Sequence, residues 1–251
     1  MKKVGVIILC INLYQKYTRP IVEQLINNRA IRSLDYEIYV VDNGSTDETQ
    51  RELSDRLGVH YMKNFVNIGC SGGWNQGIDH AKMDGCELFF IINNDVLLHP
   101  ECIEKLSSRL EKGDNTVMAT GCDVRGDFQD NIQGMLNINC ANREYIQESE
   151  HPNFSAFMVT KEGYDKIGKF DEAFFPAYFE DNDYHYRMKI LDFKAVCLPT
   201  AVFYHYGSKT QNEAIGKPVV SSAMFLKNQQ YYINKWGGTP SNEQYKKPFN
   251  A

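Results

Sequence analysis

Acidic side chains are concentrated in one short stretch of the sequence, Glu180-Asp181-Asn182-Asp183. Packed carboxylates raise one another's pKa, and an acid with a raised pKa is suited to act as a general base. Acids at a helix N-terminus give the same pattern without catalysis, because they complement the helix dipole. His205 lies 24 residues beyond Asp181 and follows an apolar run. A buried structural histidine is the default there, so a functional role for His205 depends on its neighbours.

Polar residues also follow two apolar runs of strand length. The segment 42–47 comes after the run 37–41, and the Asn-Asn-Asp segment 93–95 comes after the run 88–92. A carboxylate and an amide at the first strand end can hydrogen-bond a nucleobase or a ribose. A hard oxygen ligand at the second suits a metal-bridged diphosphate. Taken alone, the first segment is equally typical of an ordinary turn, and the second is more often just a turn.

The glycine-rich segment 67–77 is a further candidate for ligand binding. Glycine lets the backbone approach a ligand closely, and the N-terminus of the helix expected after it favours anionic groups. The segment has neither the GxGxxG spacing of a dinucleotide site nor the Gly-Lys-Ser/Thr ending of a Walker loop. A flexible loop is the alternative, although the asparagine and glutamine side chains beside the glycines favour specific hydrogen bonding.

The elements that would position these residues alternate between strands and helices. Apolar patterns predict strands at 4–9, 37–41, 59–62 and 88–92, and helices from residue 18 and from about 100 to 112. Ser45 with Glu48 three residues later forms a capping-box pattern, which predicts a helix start. This alternation indicates an α/β fold with a mostly parallel sheet and helices on both faces. Ligands bind such sheets outside the carboxyl ends of the strands, where Asp42 and Asp95 are expected.

The second half of the chain has weaker patterns. The stretch 121–152 is polar and hard to assign. The predicted elements after it are a strand at 154–160, a helix at 161–167, a strand pair at 195–198 and 201–204, and a helix at about 219–236. A further helix follows the acidic stretch, and Arg187 lies one turn after Asp183, at the spacing of a helical ion pair.

The composition limits the classes of protein to consider. Of the 251 residues, 43% are hydrophobic, which argues against global disorder. The net charge of −5 argues mildly against holding bare nucleic acid by charge alone. Seven cysteines without a CxxC pair favour reduced thiols and a cytoplasmic location. No apolar stretch approaches the roughly 20 residues that span a bilayer. We therefore expect the protein to meet any membrane-linked substrate from the aqueous side of the membrane.

In this order, the motifs resemble the family 2 nucleotide-sugar glycosyltransferases, in particular rhamnosyltransferase-like members, over essentially the whole chain. The matching pieces are the first strand ending near Asn12, the segments 40–47, 67–77, 91–95 and 174–187, and His205. The resemblance implies the GT-A fold, a Rossmann-like α/β fold with a central, mostly parallel sheet flanked by helices in a single domain. That domain is expected at 1–218, with a nucleotide-sugar half at 1–120, an acceptor and catalytic half at 121–218, and a C-terminal helix and tail at 219–251.

The resemblance also implies roles for individual residues. Asp181 corresponds to the general base, and Glu180 would orient the acceptor or the base. The segment 93–95 looks like a DxD-type metal motif with its first acid replaced, so that Asp95 and His205 would bind Mn²⁺ or Mg²⁺. The donor-binding residues that it implies are Cys10, Asn12, Asp42, Asn43, Ser45, Asn67, Gly69, Gly72, Asn75, Asn93, Asn94 and Asp183.

The activity implied is inverting transfer of a hexosyl or deoxyhexosyl group from a UDP- or dTDP-type donor. The expected acceptor is a hydroxyl of a surface glycan or a lipid-linked saccharide. One alternative is glycosylation of hydroxylated bases in DNA, as phage-type relatives do, with Lys227, Lys235, Lys246 and Lys247 as a phosphate-binding patch. Another is a catalytically silent sugar-nucleotide-binding module, favoured by the missing first acid of the metal motif. The oligomeric state is not readable from the sequence.

Overall fold

The computed structural model describes residues 2–32, 35–124, 132–143, 152–207, 213–214 and 219–251. Its strands are β1 (Val4–Cys10), β2 (Tyr36–Asp42), β3 (His60–Lys63), β4 (Leu88–Asn93), β5 (Val96–Leu98), β6 (Thr116–Asp123), β7 (Ala156–Thr160) and β8 (Lys194–His205). Its α-helices are α1 (Arg19–Arg32), α2 (Thr49–Leu53), α3 (Gly69–Met83), α4 (Cys102–Leu110), α5 (Ile132–Asn142), α6 (Lys161–Ile167), α7 (Glu180–Ile190) and α8 (Ser222–Trp236). A π-helical turn (Tyr14–Thr18) precedes α1, and a 3₁₀ turn (Pro248–Asn250) lies near the C-terminus.

The described strands form one sheet in the order β3-β2-β1-β4-β7-β6-β8-β5. The first four strands of that order are parallel, as are β6 and β8, whereas β7 is antiparallel to both of its neighbours. Helical crossovers between the parallel strands return the chain to the same edge of the sheet. The predicted single α/β domain with a mostly parallel sheet is confirmed. As expected, the carboxyl ends of β1, β2 and β4 meet at one edge.

Side chains of β1 alternate between two apolar layers, because successive residues of a strand point to opposite faces. Ile8 belongs to the layer under α1 together with Leu25, and Ile7 belongs to the layer under α3 together with Ile78. All four side chains are fully buried. Complete burial stabilises the fold by about 1.5–3 kcal/mol for each side chain of this kind. Helices therefore cover both faces of the sheet, as the alternation of elements predicts.

The glycine-rich segment is a helix rather than a loop, since α3 begins at Gly69. A Cβ atom added to Gly73 would overlap the side chain of Leu9, and one added to Gly77 would overlap Ile7. Both contacts are with β1, so these two glycines let the helix lie unusually close to the sheet. The alternative of a flexible loop is wrong for residues 69–77, where Gly73 and Gly77 serve helix–sheet packing.

The capping-box prediction at Ser45 is also wrong, because α2 begins only at Thr49. The Ser45 hydroxyl accepts a hydrogen bond from the backbone N–H of Asn12 at 2.7 Å, and its own N–H donates to Asp42 at 2.7 Å. Ser45 thus joins the loops after β1 and β2. The side chain of Asp47 instead accepts from the N–H of Thr49 at 3.0 Å.

The second half differs from expectation at several elements. The strand pair predicted around Pro199 is one continuous strand, β8, whose pairing with β6 changes register between Thr120 and Cys122. Within the stretch 121–152, the structure describes the end of β6 and helix α5. Residues 125–131 and 144–151 lie outside the described residues. The predicted boundary at residue 120, between a nucleotide-sugar half and an acceptor half, falls within strand β6. The division of the domain into these two halves stays a prediction. Among the described residues, no helix is long and apolar enough to cross a membrane.

Candidate active site

A cavity of about 530 Å³ opens at the carboxyl edge of the sheet, beyond β1 and β4. Its wall comes from the strand ends, the start of α3, the segment before β7 and the start of α7. The residues predicted for a site that line it are Cys10, Asn43, Asn67, Asn93, Asn94, Asp95, Glu180, Asp181 and His205. The fold therefore brings together residues from all six matching pieces of the sequence and places them at the edge where ligands of such sheets bind.

Two neighbouring carboxylates, Glu180 and Asp181, form one wall at the N-terminus of α7. Burial, and then the charge of Asp181, raises the pKa of Glu180 well above its ordinary value. Burial also raises the pKa of Asp181, although the N–H of Asn182 donates to it at 2.8 Å. Glu180 is only 5% exposed, and its Oε2 atom has no hydrogen-bond partner among the described residues. These surroundings favour the protonated form of Glu180 over its charged form.

Asp95 and His205 face each other across the opposite wall, with Oδ1 and Nε2 at 3.2 Å. The sheet sets this distance, because β5 and β8 pair with Val96 opposite His205. The hydroxyl of Ser155 lies 3.3 Å from Nδ1 of the imidazole and orients the ring. Both side chains are nearly buried and reach the cavity. One imidazole nitrogen and one carboxylate oxygen are ligands that Mn²⁺ accepts, so the pair fits the metal site that the family resemblance implies.

Asparagine side chains join the loops at a third part of the wall. Asn43 donates to Oδ1 of Asn67 at 3.1 Å and to the carbonyl of Gly69 at 3.0 Å. Asn67 in turn accepts from the N–H of Gly69 at 2.8 Å. Asn94 donates to the hydroxyl of Thr18 at 2.9 Å. These bonds tie the strand-end loops to the starts of α3 and α1, and they hold amide groups at the cavity.

Asp42 lies behind the cavity wall rather than on it. Its carboxylate is fully buried and accepts from the hydroxyl of Tyr61 at 2.6 Å and from Lys63 Nζ at 3.0 Å. Asn12 likewise serves the loops, since its Oδ1 accepts from the N–H of Thr46 at 2.7 Å. Its amide nitrogen donates to the carbonyl of Ala214 at 2.7 Å. The structure thus makes Asp42 and Asn12 organisers of the wall.

Asn75 was predicted to bind the donor, but it lies outside the wall that the described residues form. Asn75 is 2% exposed. Its amide donates to the carbonyl of Phe170 and the carboxylate of Glu172, each at 2.9 Å, and accepts from Tyr164 at 3.2 Å. With its hydrogen-bonding capacity met inside the fold, it joins α3 to the segment after α6.

Three more predicted donor-binding residues also lie away from the cavity wall formed by the described residues. Asp183 is fully buried and accepts from Nε of Arg187 at 2.8 Å, so the predicted ion pair between these two is present. A Cβ atom on Gly69 would contact Phe175 at 3.0 Å, and one on Gly72 would contact Ile68 at 3.3 Å. These glycines permit close packing around the start of α3.

Several lining residues were missed by the sequence analysis. Trp74, Phe154 and Tyr178 give the cavity aromatic walls, and Asn153 and Ser155 add polar ones. Tyr178 belongs to a stretch whose aromatic character was visible in the sequence. Ser155 carries no local signal, because its role depends on where β7 pairs in the sheet.

The chain belongs to glycosyl transferase family 2, whose model matches residues 5–185. Among curated proteins, a galactofuranosyl glycosyltransferase of Leishmania donovani is 30% identical over 232 residues, covering 73% of this chain and 52% of the relative. The chain thus spans about half the length of that protein.

Solved structures show the same fold. The structure of GalNAc-T7 with UDP, GalNAc and Mn²⁺ matches with a TM-score of 0.71 and 16% identity, over 94% of this chain and 49% of that one. The mannosyltransferase PcManGT from Pyrobaculum calidifontis, in complex with GDP-Man and Mn²⁺, matches with a TM-score of 0.56 and 18% identity. That match covers 81% of this chain and 56% of the mannosyltransferase. At these identities the likeness concerns the fold, which is the GT-A fold that the resemblance implied.

Proposed function

We propose that this chain is a glycosyltransferase that moves a hexosyl or deoxyhexosyl group from a nucleoside diphosphate sugar of the UDP or dTDP type, inverting the anomeric carbon. The acceptor proposed is a hydroxyl of a surface glycan or lipid-linked saccharide. The observation that carries the proposal is one cavity with the Glu180–Asp181 pair on one wall and the Asp95–His205 pair on another. Family membership and the nucleotide-bound structural neighbours support it.

Asp181 is the general base of the proposed reaction. Its carboxylate takes the proton of the acceptor hydroxyl as that oxygen attacks the anomeric carbon and the bond to the diphosphate oxygen breaks on the opposite side. A single displacement of this kind inverts the carbon. The pKa of Asp181 is raised by burial, and a carboxylate with a raised pKa is a stronger base towards a hydroxyl.

Glu180 has a different part in the same reaction. Its burial and the neighbouring charge favour the neutral acid, and a neutral carboxyl group donates one hydrogen bond and accepts others. Glu180 therefore orients a substrate hydroxyl next to Asp181 without competing for the proton. Two carboxylates with different surroundings can divide the roles of base and hydrogen-bond donor in this way.

Asp95 and His205 would hold the divalent metal, Mn²⁺ or Mg²⁺, and both neighbours solved with a nucleotide also contain Mn²⁺. When bound, the metal stabilises the negative charge on the leaving diphosphate. The sheet register keeps Asp95 beside His205, and Ser155 orients the imidazole. Of the proposed donor-binding residues, those on the wall offer direct contacts. Asp42, Asn12 and Ser45 shape the loops behind it.

The test is thermal unfolding against a panel of nucleoside diphosphates, with and without MnCl₂, followed by transfer assays with the sugar nucleotides of whichever base binds. A ligand that binds only the native state raises the melting temperature. We expect a shift with a pyrimidine diphosphate that depends on Mn²⁺ and that needs more Mn²⁺ in His205→Ala. Binding without transfer to any saccharide would favour the silent module, which the replacement of the first acid by Asn93 supports. No shift with any diphosphate would contradict the donor site itself.

A further inference from the structure

Two consecutive aromatic residues just before the carboxylate pair have a left-handed backbone. Tyr178 has φ 78° and Phe179 has φ 75°. Bulky residues adopt positive φ rarely, because Cβ approaches the backbone carbonyl. The N–H groups of these two residues face the carboxylates of Glu180 and Asp181, respectively. The conformation of this turn therefore sets the position and the surroundings of both carboxylates.

A strained turn of this kind persists only where the surrounding structure holds it. Asn228 of α8 provides such a hold, although it lies about 50 residues further along the chain. Its amide nitrogen donates to the carbonyl of Ala177 at 2.9 Å and to that of Tyr178 at 3.3 Å. Asn228 is 1% exposed and Ala177 is 3% exposed, so the shorter of these two bonds is buried. One buried side chain thus binds two successive peptide units of the turn.

Aromatic residues on the same face of α8 pack around the hydrogen bonds of Asn228. The ring of Phe225 lies 5.4 Å from that of Tyr178 and 5.2 Å from that of Phe179. The ring of Tyr232 lies 5.9 Å from that of Phe179. Phe225, Asn228 and Tyr232 are three and four residues apart, the spacing of one helix face. This face of α8 therefore packs along the turn.

The C-terminal end of α8 holds the other side of the carboxylate pair. Asp183 lies two residues beyond Asp181 and is fully buried. Its Oδ1 accepts from Lys235 Nζ at 2.6 Å and from the indole N–H of Trp236 at 2.9 Å. Helix α8 therefore contacts the chain immediately before and immediately after Glu180 and Asp181.

We infer that Asn228 is a positioning residue for glycosyl transfer, holding the turn 177–179 so that Glu180 and Asp181 face the acceptor hydroxyl. The inference rests on the proposed function and adds a residue far from the matched family motifs, in the C-terminal helix. Asn228 lies outside the cavity wall that the described residues form. It acts through the backbone of the turn and contacts neither substrate nor metal.

The deciding variants are Asn228→Leu and Tyr232→Phe. Leucine has the branched skeleton of asparagine but a larger side chain and no donor, so the two carbonyls lose their partner without a cavity being left. Tyr232→Phe is the control, because Tyr232 lies on the same face of α8. This variant loses the hydrogen bond from the Tyr232 hydroxyl to Glu243 but keeps the ring that packs on the turn. We expect Asn228→Leu to lower kcat by roughly 10- to 100-fold, because small displacements of catalytic groups have effects of this size. KM for the donor and the Mn²⁺ requirement should stay within about twofold, and Tyr232→Phe should match the wild type.

A measurement without substrate separates this inference from the proposed function. We expect amide hydrogen exchange of peptides covering 174–184 to be faster in Asn228→Leu than in Tyr232→Phe, with exchange of β1 and β4 unchanged. Unchanged exchange at the turn would overturn the inference, as would acceleration spread evenly over the chain, which would indicate a general loss of stability. If the wild type transfers no sugar, the proposed function fails, and the exchange data still decide whether Asn228 holds the turn. Faster exchange at the turn with unchanged kcat would also overturn the positioning role.

Discussion

At the residue scale, the neighbouring carboxylates of Glu180 and Asp181 have unequal surroundings. Oε2 of Glu180 is buried and has no hydrogen-bond partner among the described residues. Asp181 is partly exposed and accepts from the N–H of Asn182. Burial raises the pKa of both carboxyl groups, and the charge of Asp181 raises that of Glu180 further. Glu180 therefore stays protonated to higher pH than Asp181, and the two residues have separable experimental signatures.

Replacing the proposed base tests its role directly. Asp181→Asn keeps the shape of the side chain but cannot take a proton, so we expect kcat to fall by about 10²- to 10⁴-fold. Binding of the nucleoside diphosphate with Mn²⁺, measured by calorimetry, should remain near that of the wild type. The matched control is Asp165→Asn on the surface of α6, where the carboxylate pairs with Lys82 and Lys161. Near-normal turnover by Asp181→Asn would remove Asp181 from the mechanism.

The raised pKa of Glu180 predicts a pH-dependent stability. In the unfolded chain the carboxyl group ionises near its ordinary value of 4.5, whereas in the folded protein burial and Asp181 raise its pKa. Between these two pKa values the folded state binds more protons, so the free energy of unfolding falls as pH rises. The full slope for one proton is about 1.4 kcal/mol per pH unit. Glu180→Gln removes this contribution, so its stability should decline less than that of the wild type between pH 5 and pH 8.

Urea unfolding at several pH values in that range measures the effect. The control is Glu162→Gln on α6, whose carboxylate is exposed and whose pKa is lowered by its hydrogen bond to Lys166. The Glu162 variant should follow the wild-type pH dependence across the range. Parallel curves for Glu180→Gln and the wild type would show that Glu180 ionises at its ordinary pKa in the folded protein.

At the scale of elements, the glycines of helix α3 determine how closely the helix packs on the sheet. A methyl group at Gly77 would overlap the buried side chain of Ile7 on β1. One at Gly72 would contact the side chain of Ile68, just before α3, at 3.3 Å. Overpacking a buried contact typically destabilises by about 1–3 kcal/mol. Alanine also favours helix over glycine by about 1 kcal/mol. We therefore expect Gly77→Ala to lower the free energy of unfolding, measured by urea denaturation, by more than Gly72→Ala does. Equal effects of the two changes would show that α3 does not pack on β1 through Gly77.

The elements that were predicted are those with a strong local pattern. Strands β1 and β4 consist mostly of apolar residues, β2 is rich in β-branched and aromatic ones, and α6 has the predicted bounds of 161–167. Strand β5 has only three residues, too few for a pattern, and it forms because β8 pairs with it. The start of α3 was missed because glycine is a poor helix former, and the contact with β1 that requires glycine is not visible in sequence.

The candidate site was likewise predictable only where its residues follow a strong local pattern. Asp95 follows a recognisable strand, and its contact with His205 agrees with the metal pair that the resemblance implied. Asn75 and Asp183 stand in matching motifs, yet their hydrogen bonds are with distant parts of the chain. Asn228 carries no motif, because its importance depends on a turn about 50 residues earlier. Local pattern thus locates strand ends, and long-range packing decides which side chains reach the cavity.

At the scale of the whole molecule, charge bears on the choice of acceptor. The net charge is −5, and the DNA alternative needs a basic patch from lysines of the C-terminal region. Lys235 is unsuitable for such a patch, because it is 6% exposed and its ammonium group pairs with Asp171 at 2.7 Å and Asp183 at 2.6 Å. Lys227 on α8 remains exposed, but its neighbours Phe225 and Leu226 are apolar. One of the four lysines is therefore unavailable to DNA, whereas Lys227, Lys246 and Lys247 remain exposed.

We accordingly expect duplex DNA to show no retardation by this protein in gels at low salt. Proteins that hold DNA through phosphate contacts bind more tightly as salt falls, since counterions are released on binding. The measurement compares retardation at about 50 and about 200 mM salt, with a sugar nucleotide and Mn²⁺ present so that a bound donor is not missed. Lys227→Glu is the control, and it should change nothing if the acceptor is a saccharide. Retardation that weakens with salt and is lost in Lys227→Glu would favour DNA as the acceptor and contradict the glycan proposal.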